Sequence, residues 1–433
     1  MSISAPPPSR PASDGRHRAA HALGRAVGRL TTPSDVPVYC PDLYSVAAIR
    51  DPYPHYAAMR ALGPVVWLPK QKLYALPRYA EVKAVLRDND TFRSGGGVAL
   101  NPISRFVGKR SFLMLDGSEH DRVRKLTAHR LIPRTLRPLQ TQIDDLAEDT
   151  VRAAVANGRV DGVRDIALRL PLRVVPDLVG WPEREREHLV EWAGATFDLL
   201  GPFNSLALRS SGNVVSMLAF VHRLARRRGV LPGSMADEVI QAIDNGDMKQ
   251  SQLPSVFIDY LAPSIDTTAS AIAAALWLFA RNPDQWQILQ RDPTRVPNAV
   301  NEIVRMESSV RAFGRRAERD TDIAGTRIPA GSRVLVMFAS ANRDERAWSD
   351  PDRFDVTRDA SRQLGFGHGV HACAGQGLAR METEAMLHSL VRHVDRIELD
   401  GPPELVVNNV IRRFDTLPLH LIQRRGPHAQ LPH

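Results

Sequence analysis

The pattern of apolar and polar positions along this chain reads mostly as helix, with a few short alternating stretches that read as strand. From about Asp42 the sequence becomes globular. Asp51-Pro52-Tyr53-Pro54 leads into a helix through Tyr56 to Arg60, Val65–Leu76 alternates as an edge hairpin does, and Tyr79–Arg87 is helical again. Residues 139–224 read as a run of helices with loops at Gly158, Gly201-Pro202 and Ser210-Ser211-Gly212. The segment from Pro254 to Arg281 would extend on the order of 40 Å as one helix, enough to cross a domain. Its apolar core, Val256–Ala280, contains Asp259, Pro263 and Asp266, which predicts a buried helix rather than a membrane span. Ile328–Gly331 and Val334–Phe338 are strand-like, and Leu405–Leu419 reads as a hairpin turning at Arg413-Phe414-Asp415. Helix and short strand alternate without a doubly wound rhythm, so the expected fold is mainly α with a smaller β-rich region.

Composition narrows this further. With 433 residues and 43% apolar content the chain can bury one large core. The formal charge is +9, of which the first thirty residues supply Arg10, Arg16, Arg18, Arg25 and Arg29 against Asp14, or 5 − 1 = +4. Residues 1–35, with Pro6-Pro7-Pro8 and scattered serines, are expected to form a disordered basic tail, and residues 36–433 the folded domain. No apolar signal region opens the chain. The two cysteines, Cys40 and Cys373, cannot make a disulfide framework, which fits a reducing, cytoplasmic setting. The basic body suits an acidic protein partner, and without a basic stripe interleaved with aromatics nucleic-acid binding is not expected.

The chemistry concentrates at one loop. Cys373 stands behind three alternating glycines, Gly365, Gly367 and Gly369, and a histidine, His371, and ahead of a segment, Ala374 to Leu390, that reads as helix. Glycine lets backbone take positive φ and approach a flat ligand. Unpaired N–H groups and the helix dipole stabilise a thiolate at such a helix start. Gly375 leaves a bare patch on the first turn, where a large planar ring can lie. The ordinary alternative is a turn before a helix, with Cys373 as a small buried hydrophobe. About eight specified positions matching together make coincidence a poor account. The spacing reads as a heme bound through sulfur.

The loop Phe366-Gly367-x-Gly369-x-His371-x-Cys373-x-Gly375-x-x-Leu378-Ala379-Arg380 resembles the cysteine-ligand loop of the cytochrome P-450 heme-thiolate monooxygenases. The resemblance implies that family's single-domain fold from about Asp42 onward, heme b (iron protoporphyrin IX) as cofactor, and Cys373 as the iron ligand. Thiolate ligation favours O–O cleavage over simple O2 binding. It further implies that His120 and Arg124, one helical turn apart, and Arg315 hold the heme propionates. Read alone, the first two more commonly form a solvated basic helix face, and only Cys373 reverses that order.

By the same resemblance, Glu302 and Arg305 with Arg353 form a triad that braces the cysteine loop, although a pair at this spacing is more commonly solvent-exposed. Asp266 and Thr267 match the acid and alcohol that deliver protons during oxygen activation. Their bland alternative is a threonine bonded back to its own helix. The chain departs from the family where Pro263 and Ser264 replace the usual Ala or Gly and Gly. Pro263 cannot donate to the carbonyl of Asp259 and should open the helix by another route. Helical spacing puts Asp259, Pro263 and Thr267 on one face, with Asp259 offering a polar contact to substrate or to an arginine.

Ala262, Phe197, Val310, Phe313 and Phe414 are candidate pocket residues, with Phe203 close to Phe197 in sequence; ordinary core packing is their alternative. The loop from Ser94-Gly95-Gly96-Gly97 to Lys109 either covers the pocket or merely connects. The implied reaction inserts one oxygen atom from O2 into a small apolar molecule by hydroxylation or O-dealkylation; the phenylalanines point to a compact aromatic such as a methoxy- or alkyl-substituted phenol or benzoate, with terpenoids and secondary-metabolite skeletons as alternatives. Electrons are expected from a separate ferredoxin or flavodoxin with its reductase, docking against Arg122 and Lys125. A peroxide-driven or isomerising heme-thiolate enzyme and a non-catalytic heme sensor are the alternatives.

Overall fold

The structure, a computed structural model, describes residues 33 and 35–424. The tail expected over residues 1–35 lies outside the described residues apart from positions 33 and 35. Tyr53–Leu62 (α1) starts behind Pro52, whose ring presets the first turn, and stops at Gly63. Val66–Leu68 (β1) pairs with Leu73–Leu76 (β2) as the expected hairpin, and Tyr79–Arg87 (α2) keeps the bounds read from sequence. Only β1 is an edge. Phe92–Arg93 (β3), Phe313–Ala317 (β4) and Arg333–Val336 (β5) complete a sheet ordered β1-β2-β5-β4-β3, in which β2 and β5 run parallel.

Helices fill the rest. Pro102–Val107 (α3) is capped by the Asn101 side chain, and Gly117–Ala128 (α4) follows the extended backbone of Asp116. Gln140–Asn157 (α5) ends at Gly158, whose φ of +68° allows the chain to turn away. The next strand, Arg159–Asp161, is absent from the sequence reading; it pairs with Pro418–Gln423, which in turn pairs with Val394–Leu399. Three residues are too short to show a period, and their partner lies more than 250 positions away. Leu189–Leu200 (α6) and Ser211–Arg227 (α7) follow. Ser210 to Gly212 is therefore a helix start rather than a loop.

The expected 40 Å helix is two helices. Leu253–Leu261 (α8) ends, residues 262–265 form a turn, and Asp266–Arg281 (α9) begins. Pro263 lacks the N–H that would continue the ladder, and so opens the helix as the sequence predicts. Across this stretch 78% of its most apolar window is buried inside the fold, which accounts for its hydrophobicity without a membrane. Ala271, Ala273, Ala274 and Ala275 let neighbouring helices approach α9 closely. Val296–Met306 (α10) and Gln376–His393 (α11) pack on it, and α11 also lies along α5. Phe279 anchors the junction, edge-on to Trp286 at 5.1 Å and to Phe354 at 5.4 Å between ring centres.

The C-terminal hairpin also differs from expectation. Glu404–Leu405 pairs with Phe414–Thr416, so Phe414 belongs to the strand and the turn precedes Arg413. Phe414 is buried in the helical core against Trp277, at 5.7 Å between ring centres, and does not line the cavity described below.

Inside α11, Glu382 is fully buried, and neither carboxylate oxygen has a hydrogen-bond partner among the described residues. Desolvation raises its pKa to about 8, and burial likewise lifts Asp259 to about 7 and Asp266 to about 6. All three bind protons more tightly folded than unfolded. Their stabilisation is complete below the unfolded carboxylate range near pH 4 and is lost as pH rises through these folded values. Glu382→Gln is expected to flatten the fall in melting temperature between pH 5 and pH 9 and to raise stability at the alkaline end by on the order of 3 kcal/mol. Thermal melts across that range measure it; an unchanged slope refutes a buried, neutral Glu382.

Candidate active site

The cysteine loop takes its shape from its glycines. Gly367 and Gly369 sit at φ of +71° and +73°, and a Cβ on Gly369 would meet the Leu86 carbonyl oxygen at 2.3 Å. The loop closes with the Cys373 N–H donating to the Phe366 carbonyl at 2.8 Å, and Gly375 starts α11. Nothing lies within 4 Å of a Cβ built on Gly375, so the bare patch is real.

Above it opens a cavity of about 490 Å³, lined by Phe366, Gly367, His371, Cys373 and Gly375 on one side. The Cys373 side chain is exposed to this space. Burial raises the thiol's pKa, while the N–H groups of Gly375 and Gln376 and the cations Arg124 and Arg380 pull it down. In the free protein burial outweighs the helix start, reversing the direction read from sequence; coordination to a metal ion would itself remove the proton.

Cationic and imidazole groups gather beside the loop. Arg124 on α4 lines the cavity but donates to the carbonyls of Val370 at 2.9 Å and Ala372 at 2.6 Å, so it holds the loop itself. His371 lines the cavity too, and His120 packs behind it, its ring tilted with centres 4.2 Å apart and its buried Nε2 without a partner among the described residues. Arg315 on β4 is buried, bonded through one nitrogen to the Gly314 carbonyl, and burial lowers its pKa to about 10. A guanidinium with most donors unspent, an orphaned imidazole nitrogen, a thiol and a bare glycine floor fit a planar dianionic ring with a metal at its centre.

Across the cavity lie Ala262, Pro263 and Thr267 from the break between α8 and α9, Phe197 from α6, Val310, and Phe313 from β4. Phe203 is 65% exposed and lies outside. The loop from 94 to 109 does contribute to the wall, through Ile103, Ser104 and Gly108. Thr267 Oγ1 donates to the Pro263 carbonyl at 2.6 Å, the local bond that was the bland alternative, and the residue still reaches the cavity. Asp266 points away into the protein. Arg413 approaches its Oδ2 at 3.5 Å without a formed hydrogen bond, and Gly194 of α6 leaves room for both. Among the described residues Asp259 meets no arginine: it accepts from the Ser111 hydroxyl and from the Phe112 N–H at 2.8 Å.

Behind the loop, Glu302 and Arg305 of α10 form a fully buried pair at 2.6 and 2.9 Å. The third member is Arg358, whose Nε donates to Glu302 at 3.2 Å, and not Arg353. Arg353 is exposed and offers only its carbonyl, to Arg305 at 3.2 Å. Several arginines follow α10 in sequence, and which one turns inward is set by a loop without a period.

The comparisons with known proteins agree with this site. The Cytochrome P450 family model matches residues 230–404. Cytochrome P450 CYP199A2 of Rhodopseudomonas palustris is 37% identical over 407 residues, covering 90% of this chain and 99% of that protein. The chain belongs to the cytochrome P450 family. Among solved structures, Mycobacterium marinum cytochrome P450 CYP268A2 in complex with pseudoionone superposes with a TM-score of 0.81 at 30% identity, covering 89% of this P450 and all of that chain. An intact type IV self-sufficient cytochrome P450 monooxygenase superposes at 0.76 with 27% identity, but only 52% of that chain is covered. This P450 is accordingly a monooxygenase of the single-domain fold, and P450s bind heme b through a thiolate-ligated iron.

Arg358 and Ser111 are the site residues the sequence reading missed, and Arg413, read there as part of a turn, was not linked to Asp266. Each acts through a partner distant in sequence, and no local spacing marks it.

Proposed function

We propose that this P450 hydroxylates or O-dealkylates a compact aromatic molecule, with Cys373 holding the heme iron and electrons arriving from a separate ferredoxin or flavodoxin. The cavity carries the reading: it joins the cysteine loop to a wall of Phe197, Val310, Phe313 and Ala262. Heme b, when bound, supplies oxygen activation and insertion. Arg315 and the His120–His371 pair would hold its carboxylates, while Arg124 keeps the loop in shape.

The protein's further work is to place substrate, exclude water and move protons. Thr267 can hold a water at the cavity wall through its hydroxyl oxygen. Asp266, with its pKa near 6, can take and release a proton at Oδ2 near neutral pH if its side chain turns from Arg413 toward Thr267. A titratable acid and an alcohol adjacent at the start of α9 support O2-dependent chemistry over the peroxide-driven and sensor alternatives.

Residues 36–433 make up the heme domain in this reading, preceded by a basic extension and working in the cytoplasm. The partner's docking face is the outer side of the cysteine loop. Arg122, expected there, is tied to Glu119 at 2.8 and 3.0 Å and offers little free charge. Lys125 is exposed, and Arg134 and Arg137 are exposed on the segment packed against Gly377 of α11. An acidic partner suits these cations and the exposed Val370.

The test is direct. The purified protein, reduced under carbon monoxide, should show the red-shifted Soret band of thiolate ligation, and with a ferredoxin system it should take up O2 when a substituted phenol is added. A spectrum without that band, or substrate turnover with peroxide and none with O2, overturns the proposal. Reduction rates that do not fall as salt rises would remove the charged docking face.

A further inference from the structure

The cavity's charges are unevenly placed. Among the described side chains that line it, Arg124 and Arg315 are the only cations and Asp259 is the only acid. Both cations belong to the heme side: Arg124 is spent on loop carbonyls, and Arg315 is buried on β4 and bonded to the Gly314 carbonyl. No cation is left to meet a substrate's carboxylate.

Asp259 stands opposite, on α8, where Ser111 and Phe112 lie against it and also line the cavity. Its two oxygens accept one hydrogen bond each from these neighbours. A carboxyl group has about four acceptor positions, so two remain. We propose that Asp259, with the Ser111 hydroxyl, is the polar end of the substrate site and selects aromatic molecules that carry a hydroxyl donor while rejecting those that carry a carboxylate. This rests on the monooxygenase reading above and divides its two substrate candidates, phenol and benzoate.

The discrimination has two parts. A phenol O–H donates to an oxygen already fixed by the Phe112 N–H and Ser111, so little ordering is needed on binding. A benzoate brings a second negative charge beside a buried acid with no free cation to compensate, which is the stronger element.

The experiment titrates the heme-loaded protein with 4-propylphenol and with 4-propylbenzoate, following the substrate-induced Soret shift at pH 8. The phenol should bind at least tenfold more tightly. Asp259→Asn keeps an acceptor for the Phe112 N–H and removes the charge; it should narrow the ratio to threefold or less, chiefly by admitting benzoate. Should that variant fail to fold, Ser111→Ala decides instead: it should weaken the phenol severalfold and leave benzoate unchanged. Benzoate binding as tightly as phenol, a ratio unmoved by the substitution, or a shift with neither ligand overturns the assignment. The carbon monoxide spectrum separates the two failures. A thiolate-type band with no discrimination sinks the selector and leaves the monooxygenase standing, whereas a missing band sinks the parent reading.

Discussion

Cys373→Ala should leave a folded protein that has lost its chemistry. The side chain faces the cavity rather than a packed neighbour, and the loop is held by backbone: the Cys373 N–H on Phe366, the two left-handed glycines, and Arg124 on Val370 and Ala372. None of these contacts needs the sulfur, so the melting temperature of the heme-free protein should move little. Monooxygenase turnover should fall by at least ~10³-fold, or about 4 kcal/mol of barrier, because no other thiolate is near. Cys40, the other cysteine, does not line the cavity. The reduced carbon monoxide spectrum should lose its red-shifted band at the same time. Activity and that band surviving together would mean another residue ligates the iron.

The parts of this site that lie close in sequence were legible, and several of the pairings made across the fold were not. Glycines, histidine and cysteine within one loop must act together because the chain holds them within reach whatever the remainder does. Pro263 was equally readable, since a missing N–H breaks a helix in any context. Arg413 and Arg358 are different. Asp266 meets its arginine nearly 150 positions later, and Glu302 chooses Arg358 over Arg353 because of how an irregular segment turns. Phe414 failed for a related reason: aromatic residues suit cores and pockets alike, and only the strand pairing with Glu404–Leu405 turns this one inward. The buried acid Glu382 carries no sequence signal at all, because carboxylates on a helix ordinarily face water.

The Glu302 network is where stability and the site meet. Glu302→Ala would strand Arg305, whose side chain is wholly buried, and would strip Arg358 and the Asp355 N–H of their shared acceptor. Breaking a buried pair in this way costs about 3–5 kcal/mol. The damage should reach the cysteine loop, because Gly365 packs directly on Val304 of the same helix, and the Leu364 N–H bonds Asn342, whose carbonyl accepts from Arg305 at 2.8 Å. Purified Glu302→Ala should therefore be both less stable and poor in heme. Arg358→Ala should lose about 1–3 kcal/mol, since it leaves part of a buried carboxylate unpaired. Arg353→Ala should stay within about 0.5 kcal/mol of the parent, as an exposed side chain whose useful atom is its backbone carbonyl. Denaturant melts together with heme content measure all three. The reverse order for the two arginines, or a stable, heme-replete Glu302→Ala protein, would show that this pair does not brace the loop.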